Sequence, residues 1–511
     1  MKNDLLIITD TSDPVFQRSI GAYQVAHHAR KHGYNTQVID FASMFDPDDL
    51  ESIIVKCVSD RTLAIGVSTT FISFDKETVI TDPKLGDPKT KLFSSRKYVS
   101  FPYDISNILI RIKEKFPNIK IMAGGANSYR IKDDALVDVV FHGYSEQSVI
   151  QYLNGLRTGN KRIWPKTGNL INIDGSTEHF DIENLDHFWH RTDCVLPKET
   201  LPIEISRGCI FKCKFCSYPL NGKKKFDYIR DPIRIRDEMM KNYELYGTTN
   251  YFFTDDTFND STHKLESLHK VITALPFKIN FVSYLRVDLL YAHPEQIQLL
   301  YEMGLGAAFF GIETLNPKTG SIIGKGMNPE TVKKFVVELH DNHWKKEIPI
   351  TCTFIIGLPK ESIESVQATF DWCNTAPITS MFFPLLLKED SHFQSEFDIN
   401  FEKYGYVKYK EQDPNIEHVA QIVDMWSNEY MDSTTAEKLS AKFNTERFED
   451  PGTNKLGAFP LFAMLNHGYP IEELRNMYYK DFTPMSILRK KVKLFKIYKE
   501  KLLQVLDNPS E

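Results

Sequence analysis

The chain has 511 residues, 42% of them hydrophobic and 25% charged, an ordinary globular composition with room for several domains that each bury a core. A net charge of −6 gives no global attraction to nucleic acid, so any such contact needs a local basic patch. No run reaches the ~18 apolar residues of a membrane span, MKNDLLIITDTSD turns acidic without an apolar signal core, and the 7 cysteines are too scattered for a disulfide framework, which together read as a reduced, cytoplasmic protein with no membrane partner. Residues 1–155 alternate strand-like and helix-like segments. DLLIIT (4–9), TQVIDF (36–41), TLAIGVST (62–69), IKIMAGG (119–125) and VDVVFHG (138–144) predict a doubly wound parallel sheet whose strands end in small or polar residues, as a ligand-binding carboxyl edge does. Phe16, Ile20, Tyr23 and Ala26 recur at helical spacing until Gly33, and 76–100 reads as a surface insertion. Residues 156–200 show no clear period and read as a connector. From 201 to 390 the alternation resumes with LPIEIS, NYFFT, INFVSYL, GAAFFGIE, ITCTFIIG and TSMFFPLL, which predicts a partial TIM barrel of the (β/α)6 type with its chemistry at the strand carboxyl ends. Residues 391–511 read as a helical domain, closed by a helix over Pro484–Leu506 with Thr483 as its cap.

One stretch stands out, SRGCIFKCKFCS (206–217), which places Cys209, Cys213 and Cys216 just after the first barrel strand. Structural zinc normally takes four protein ligands in separated pairs, and neither His263 nor Cys194 supplies a matching pair. A disulfide leaves one thiol over. An iron–sulfur cluster accepts thiolates at this spacing, and three thiolates for four irons leave one iron open, as a catalytic metal site requires.

Cys-x3-Cys-x2-Cys at a first-strand carboxyl end, with Phe215 before the last cysteine, resembles the radical S-adenosylmethionine (SAM) superfamily. The resemblance implies a 4Fe–4S cluster on the three cysteines, SAM chelated by the open iron, and an external electron donor of the flavodoxin or ferredoxin type whose electron splits SAM to a 5′-deoxyadenosyl radical. It places Phe215 near the SAM adenine. A Gly-Gly-Glu-type motif is replaced here by FFTDDTF, so Asp255 or Asp256 takes the SAM ammonium. Arg286 in SYLRVD matches a residue for the SAM carboxylate, Ser283 one for the ribose, Glu313 the family acid, and Gly357 in IIGLP the loop that approaches the adenine. No acid–base pair stands out for the substrate, and the catalytic residues toward it stay unnamed.

The front domain resembles the Rossmann-like, cobalamin-binding domain of the B12-dependent branch, through RSIGAYQVAHHARKHGYNTQVIDF, GVST and MAGGANS. Ser68, Gly124 and Gly125 stand where that domain meets its corrinoid. The Asp-x-His-x-x-Gly motif is absent, and His27 and His28 fall inside a helix as ordinary helix residues. Cobalamin is then bound without a histidine below it, or the domain is a relic. With cobalamin, the implied reaction is methylation of an unactivated carbon on a small, natural-product-like molecule. The alternatives are a non-methylating rearrangement or oxidation, an RNA modification, and a non-catalytic iron–sulfur or zinc module. Lys223-Lys-Lys225 and the basic last helix read as solvated faces first.

Overall fold

The computed structural model describes residues 2–11, 16–73, 99–100, 104–131, 136–159, 162–175, 181–218, 220, 222–224, 227–387, 393–411, 423–449, 456–478, 481 and 484–508. The insertion at 76–100 lies outside these apart from Val99–Ser100, which pairs with Ile72–Ser73, and so do Lys225 and the Thr483 cap.

The front sheet has seven strands: β1 (Leu5–Ile8), β2 (Thr36–Ile39), β3 (Ala64–Ser68), β4 (Lys120–Gly124), β5 (Val139–His142), β6 (Lys166–Thr167) and β7 (Leu170–Asp174), in the order β2-β1-β3-β4-β5-β7-β6. All neighbours are parallel except the β6–β7 pair. The last two strands come from the stretch read as a connector; they are short and half-exposed, so no hydrophobic run marks them. Helices α1 (Ile20–Lys31) and α4 (Glu146–Thr158) cover one face and α2 (Pro47–Cys57) and α3 (Asp104–Lys115) the other. Helix α2 starts because Pro47 is preset for the first turn and the Asp46 side chain accepts the Asp48 N–H; α1 ends where Gly33 takes a φ of +76°.

Six parallel strands follow in sequential order: β8 (Leu201–Glu204), β9 (Asn250–Thr254), β10 (Asn280–Leu285), β11 (Leu305–Glu313), β12 (Ile350–Ile356) and β13 (Thr379–Pro384). Helices between them start at Asp231-Pro232, Asn316-Pro317 and Asn328-Pro329, where each cap side chain accepts backbone N–H groups of the first turn. One strand face packs on these helices, in a core that also holds Tyr23 and Ala26 of α1 and Val149 and Leu153 of α4. The front domain thus lies directly on the barrel.

The other strand face is filled from the C-terminal region. Helix α5 (Ala458–Leu465) enters the barrel, with Leu461 and Phe462 against Phe252, Val282, Ala307 and Phe309. Gly306 is a glycine because a Cβ there would stand 2.7 Å from the Phe462 ring. The C-terminal region is not purely helical: β14 (Val407–Glu411) and β15 (Val423–Ser427) form an antiparallel pair. The last helix, α6 (Pro484–Asp507), belongs to the front domain, with Phe495, Tyr498, Leu502 and Leu506 in its core. Part of its basic face is engaged by the protein: Lys499 pairs with Asp49 at the surface, Lys501 donates to the Val195 carbonyl at 2.7 Å, and Lys491 is buried. Among the described residues no helix is long and apolar enough to cross a membrane.

Candidate functional site

The three cysteines sit on a loop fixed by its backbone. Cys209 N–H donates to Leu220 (3.1 Å), Lys223 N–H to Cys209 (3.0 Å), Gly222 N–H to Phe211 (2.9 Å) and Cys216 N–H to Cys213 (3.0 Å). Gly208, at φ +120°, opens the loop where a Cβ would stand 2.7 Å from the Leu220 carbonyl. Cys209 is buried with its sulfur 3.3 Å from Thr257 Oγ1, while Cys213 and Cys216 are half-buried. Among the described residues no three His, Cys, Asp or Glu side chains converge as a single ion requires.

Sequence reasoning missed the residue that braces this loop. Arg207 Nε donates to Glu204 Oε1 at 2.7 Å and its Nη2 to Glu146 Oε1 at 2.5 Å, Glu204 Oε2 at 2.9 Å and Gln24 Oε1 at 3.0 Å. Its guanidinium also lies 4.5 Å from the Tyr144 ring centre. Gln24 belongs to α1 and Glu146 to α4, so a buried charge cluster joins the front domain to the cysteine loop. The i−3 acid Glu204 was a signal within reach; Glu146, 61 residues away, was not.

The predicted strand-end residues divide. Asp255 is fully engaged in the interior, 3.0 Å from Lys264 Nζ, which also holds Asp260 at 2.8 Å. Asp256 instead accepts the Gly208 N–H at 3.1 Å, and burial, then the neighbouring Asp255, pushes its carboxyl up to about 7. Arg286 lies beside the cysteines, with Nη1 3.6 Å from Cys213 Sγ and the guanidinium 3.9 Å from the Phe211 ring centre. Two of its nitrogens are taken by Asp288, at 3.0 and 2.6 Å. Glu313 ends β11 at a register shift with φ +69°, a conformation that costs a non-glycine residue energy and collects at functional sites. Its partner is Lys325 at 3.3 Å. Phe215 is half-buried against the helix-side core.

Two placements differ from expectation. Ser283 shares the helix-facing side of β10 with Phe281 and Leu285, is fully buried, and donates to the Phe253 carbonyl at 3.3 Å, so it does not reach the barrel mouth. Gly357, at φ +99°, faces Trp426 of β15: a Cβ would stand 2.2 Å from the indole ring. Tyr406 Oη donates to the Gly357 carbonyl at 2.7 Å and Trp426 Nε1 to Leu385 at 2.9 Å. This packing by itself requires a glycine at the position. Gly357→Ala combines a left-handed backbone cost of ~1–3 kcal/mol with overpacking of ~1–3 kcal/mol, and is expected to lower the thermal midpoint measurably in a calorimetric scan.

At the front-sheet edge, Ser68 and Gly124 are half-buried and Gly125 exposed. Gly125, at φ +114°, lets the chain pass Thr70, whose Oγ1 lies 2.8 Å from where a Cβ would be, and Thr69 N–H donates to Gly124 at 2.6 Å. Asn127 Nδ2 also donates to the Thr70 carbonyl at 3.2 Å, so the two loops are bonded side by side at the carboxyl edge of the sheet. His27 packs on His187 within the α1 interface, at 5.4 Å between ring centres, far from any ligand role. A cavity of about 710 Å3, lined by Phe277, Ile279, Gly304, Tyr301 and Arg475, opens at the amino ends of the barrel strands, away from the cysteines.

Residues 203–373 match the family model described as the Radical SAM superfamily. An uncharacterized methyltransferase of Pyrococcus horikoshii is 24% identical over 395 residues, 73% of this chain and 78% of its own. The cobalamin- and cluster-bound structure of the radical SAM methyltransferase TsrM from Kitasatospora setae superposes with a TM-score of 0.62 at 15% identity, over 96% of this chain and 99% of that one. OxsB, a cobalamin-dependent SAM radical enzyme solved with aqua-cobalamin and SAM, gives 0.55 at 11% identity, over 99% of this chain and 80% of its own.

Proposed function

We propose, for a chain whose residues 203–373 form a radical SAM domain, that it is a cobalamin-dependent radical SAM methyltransferase acting on a small molecule. The observation that supports this most is the three-cysteine loop held between the first barrel strand and the front sheet, with Arg207 bonded to both. The same three-part architecture recurs over nearly the whole chain in TsrM, whose structure holds cobalamin and a 4Fe–4S cluster.

Cys209, Cys213 and Cys216 would hold the cluster, and the carboxyl edge at Ser68, Gly124 and Gly125 the corrinoid. Once bound, these groups supply the electron that splits SAM and the methyl group that an unactivated carbon accepts. The protein's own part is positional. Arg286, clamped by Asp288, keeps Nη1 beside Cys213, where it would offer a SAM carboxylate a charge-assisted bond. Glu313, paired with Lys325 at the end of the next strand, would contribute a carboxylate to the polar groups of SAM. Asp255, consumed by Lys264, fixes the β9 end and leaves Asp256 facing the mouth. Helix α5 closes the barrel from within and excludes water beneath the site.

Anoxic protein reconstituted with iron, sulfide and hydroxocobalamin is expected to retain a corrinoid through gel filtration and to form 5′-deoxyadenosine from SAM when reduced. Retention of neither group would overturn the reading; SAM cleavage without a corrinoid would leave a radical SAM enzyme whose front domain is a scaffold.

A further inference from the structure

The cavity of about 710 Å3 at the amino ends of the barrel strands is built where Ile279 and Asn280 lead into β10 and where Gly304 and Leu305 lead into β11. Strand β11 runs nine residues from there to Glu313, so its far end lies about 26 Å away at a rise of ~3.3 Å per residue. The volume falls within the roughly 300–1,000 Å3 of small-molecule sites. Part of the lining is apolar, supplied by Leu275, Pro276, Phe277, Ile279 and Met303. Phe277 is held in place by stacking on Tyr243, at 3.9 Å between ring centres.

The charged residues of the lining divide by sign. Both acids are engaged: Glu302 accepts from His269 Nε2 at 2.6 Å and from Gln298 Nε2 at 2.8 Å, and Glu347 accepts from Tyr301 Oη at 2.9 Å. The two cations are not. Lys278 is exposed and Arg475 half-buried, and neither makes a hydrogen bond or ion pair among the described residues. The Arg475 Nε is itself buried without a partner. Burial, only partly offset by the charges of Glu472 and Glu347, holds its guanidinium below the ordinary arginine range. A buried donor on a charged group costs more when left unpaired than a neutral one does, so this position gains from a guest that brings an acceptor. Nε and the neighbouring Nη form the edge of the guanidinium that takes a carboxylate through two parallel bonds. The two lining acids repel a guest that carries several negative charges.

We propose that this cavity is a second binding site, for a molecule with one carboxylate and an apolar body, the carboxylate on Arg475 and Lys278 and the body against Phe277 and Ile279. The site does not depend on the proposed function. It lies at the opposite ends of the barrel strands from the cysteine loop, and neither a cluster nor SAM takes part in it.

The test is calorimetric titration of reconstituted full-length protein with two probes of matched shape, octanoate and octylamine. Octanoate is expected to bind at one site per chain, about tenfold or more tightly than the amine, from its charge-assisted bonds. Arg475→Gln should remove most of that preference. Lys278→Glu, at an exposed position where the fold has little at stake, should weaken octanoate several-fold. Hydrogen exchange read by mass spectrometry should show octanoate protecting residues 272–280 and 298–305, and saturating SAM should not displace it. In the unmodified protein, no saturable octanoate binding, equal or reversed preference, protection confined to other segments, or displacement by SAM would each overturn the proposal, so the outcome does not hang on a variant's folding. Formation of 5′-deoxyadenosine by the same preparation reports on the proposed function alone: cleavage without octanoate binding sinks only the second site, and octanoate binding without cleavage leaves it standing.

Discussion

Reconstituted Cys213→Ala protein is expected to hold little iron and to form no 5′-deoxyadenosine above background, whereas Cys352→Ala keeps both. Cys213 is half-buried at the loop's turn, with the Arg286 guanidinium 3.6 Å from its sulfur. Cys352 is buried in β12 among apolar side chains, where it acts as a small hydrophobe. A cluster held at three corners has no spare protein ligand, so one lost thiolate removes a third of its anchorage. The proof is iron and sulfide per chain, the reduced-cluster electron paramagnetic resonance signal, and SAM cleavage, measured together. Full iron and unchanged cleavage in the Cys213 variant would remove the loop from the chemistry. A companion variant, Arg286→Gln, separates two roles of that arginine. Loss of its bond to Cys213 should shift the cluster's midpoint potential, because hydrogen bonds to cluster sulfurs tune it; a role confined to SAM would leave the SAM-free potential unmoved.

The three cysteines were legible because their spacing is itself the chemistry. The barrel strands were legible because runs buried on both faces, such as GAAFFGIE and ITCTFIIG, carry continuous apolar sequence. Parity could have placed Ser283: it alternates with Phe281 and Leu285, both on the helix side, so its hydroxyl had to point the same way and Tyr284 the other. What the sequence hid is contact across long separations. Nothing in PLFAML says that this helix fills a barrel, and the amphipathic last helix shows an apolar face but not that the front domain is its partner. The resemblance of IIGLP marks Gly357 as a glycine that lets something approach closely, but the sequence does not show that Trp426 stands against it. Strands β6 and β7 went unseen for the reverse reason, being too short and too exposed to leave a pattern.

Arg207→Ala is expected to be the most destabilising substitution at the domain junction. Side chains of Arg207 and Glu146 are 3% and 4% exposed, and Glu204 8%. Removing the cation leaves two carboxylates facing each other in a dry interface. Breaking a buried pair by removing one partner costs roughly 3–5 kcal/mol, a large share of a typical ~5–15 kcal/mol of total stability. Arg207→Lys should recover only part, since a single ammonium cannot make the four guanidinium contacts that Glu204, Glu146 and Gln24 share. If the carboxylates are the source of the damage, adding Glu146→Gln to Arg207→Ala should restore stability, and a thermal scan of the three proteins decides this. Because Arg207 is also two residues from Cys209, the variant carries a second consequence in the loop itself. A loop freed from its brace should lose its cluster faster in air, seen as quicker decay of iron–sulfur absorbance at a temperature where the fold is intact. Lower stability with unchanged cluster decay would mean that Arg207 merely glues two domains; faster decay means that the front domain, through Glu146 and Gln24, helps set the geometry in which the cysteines hold iron.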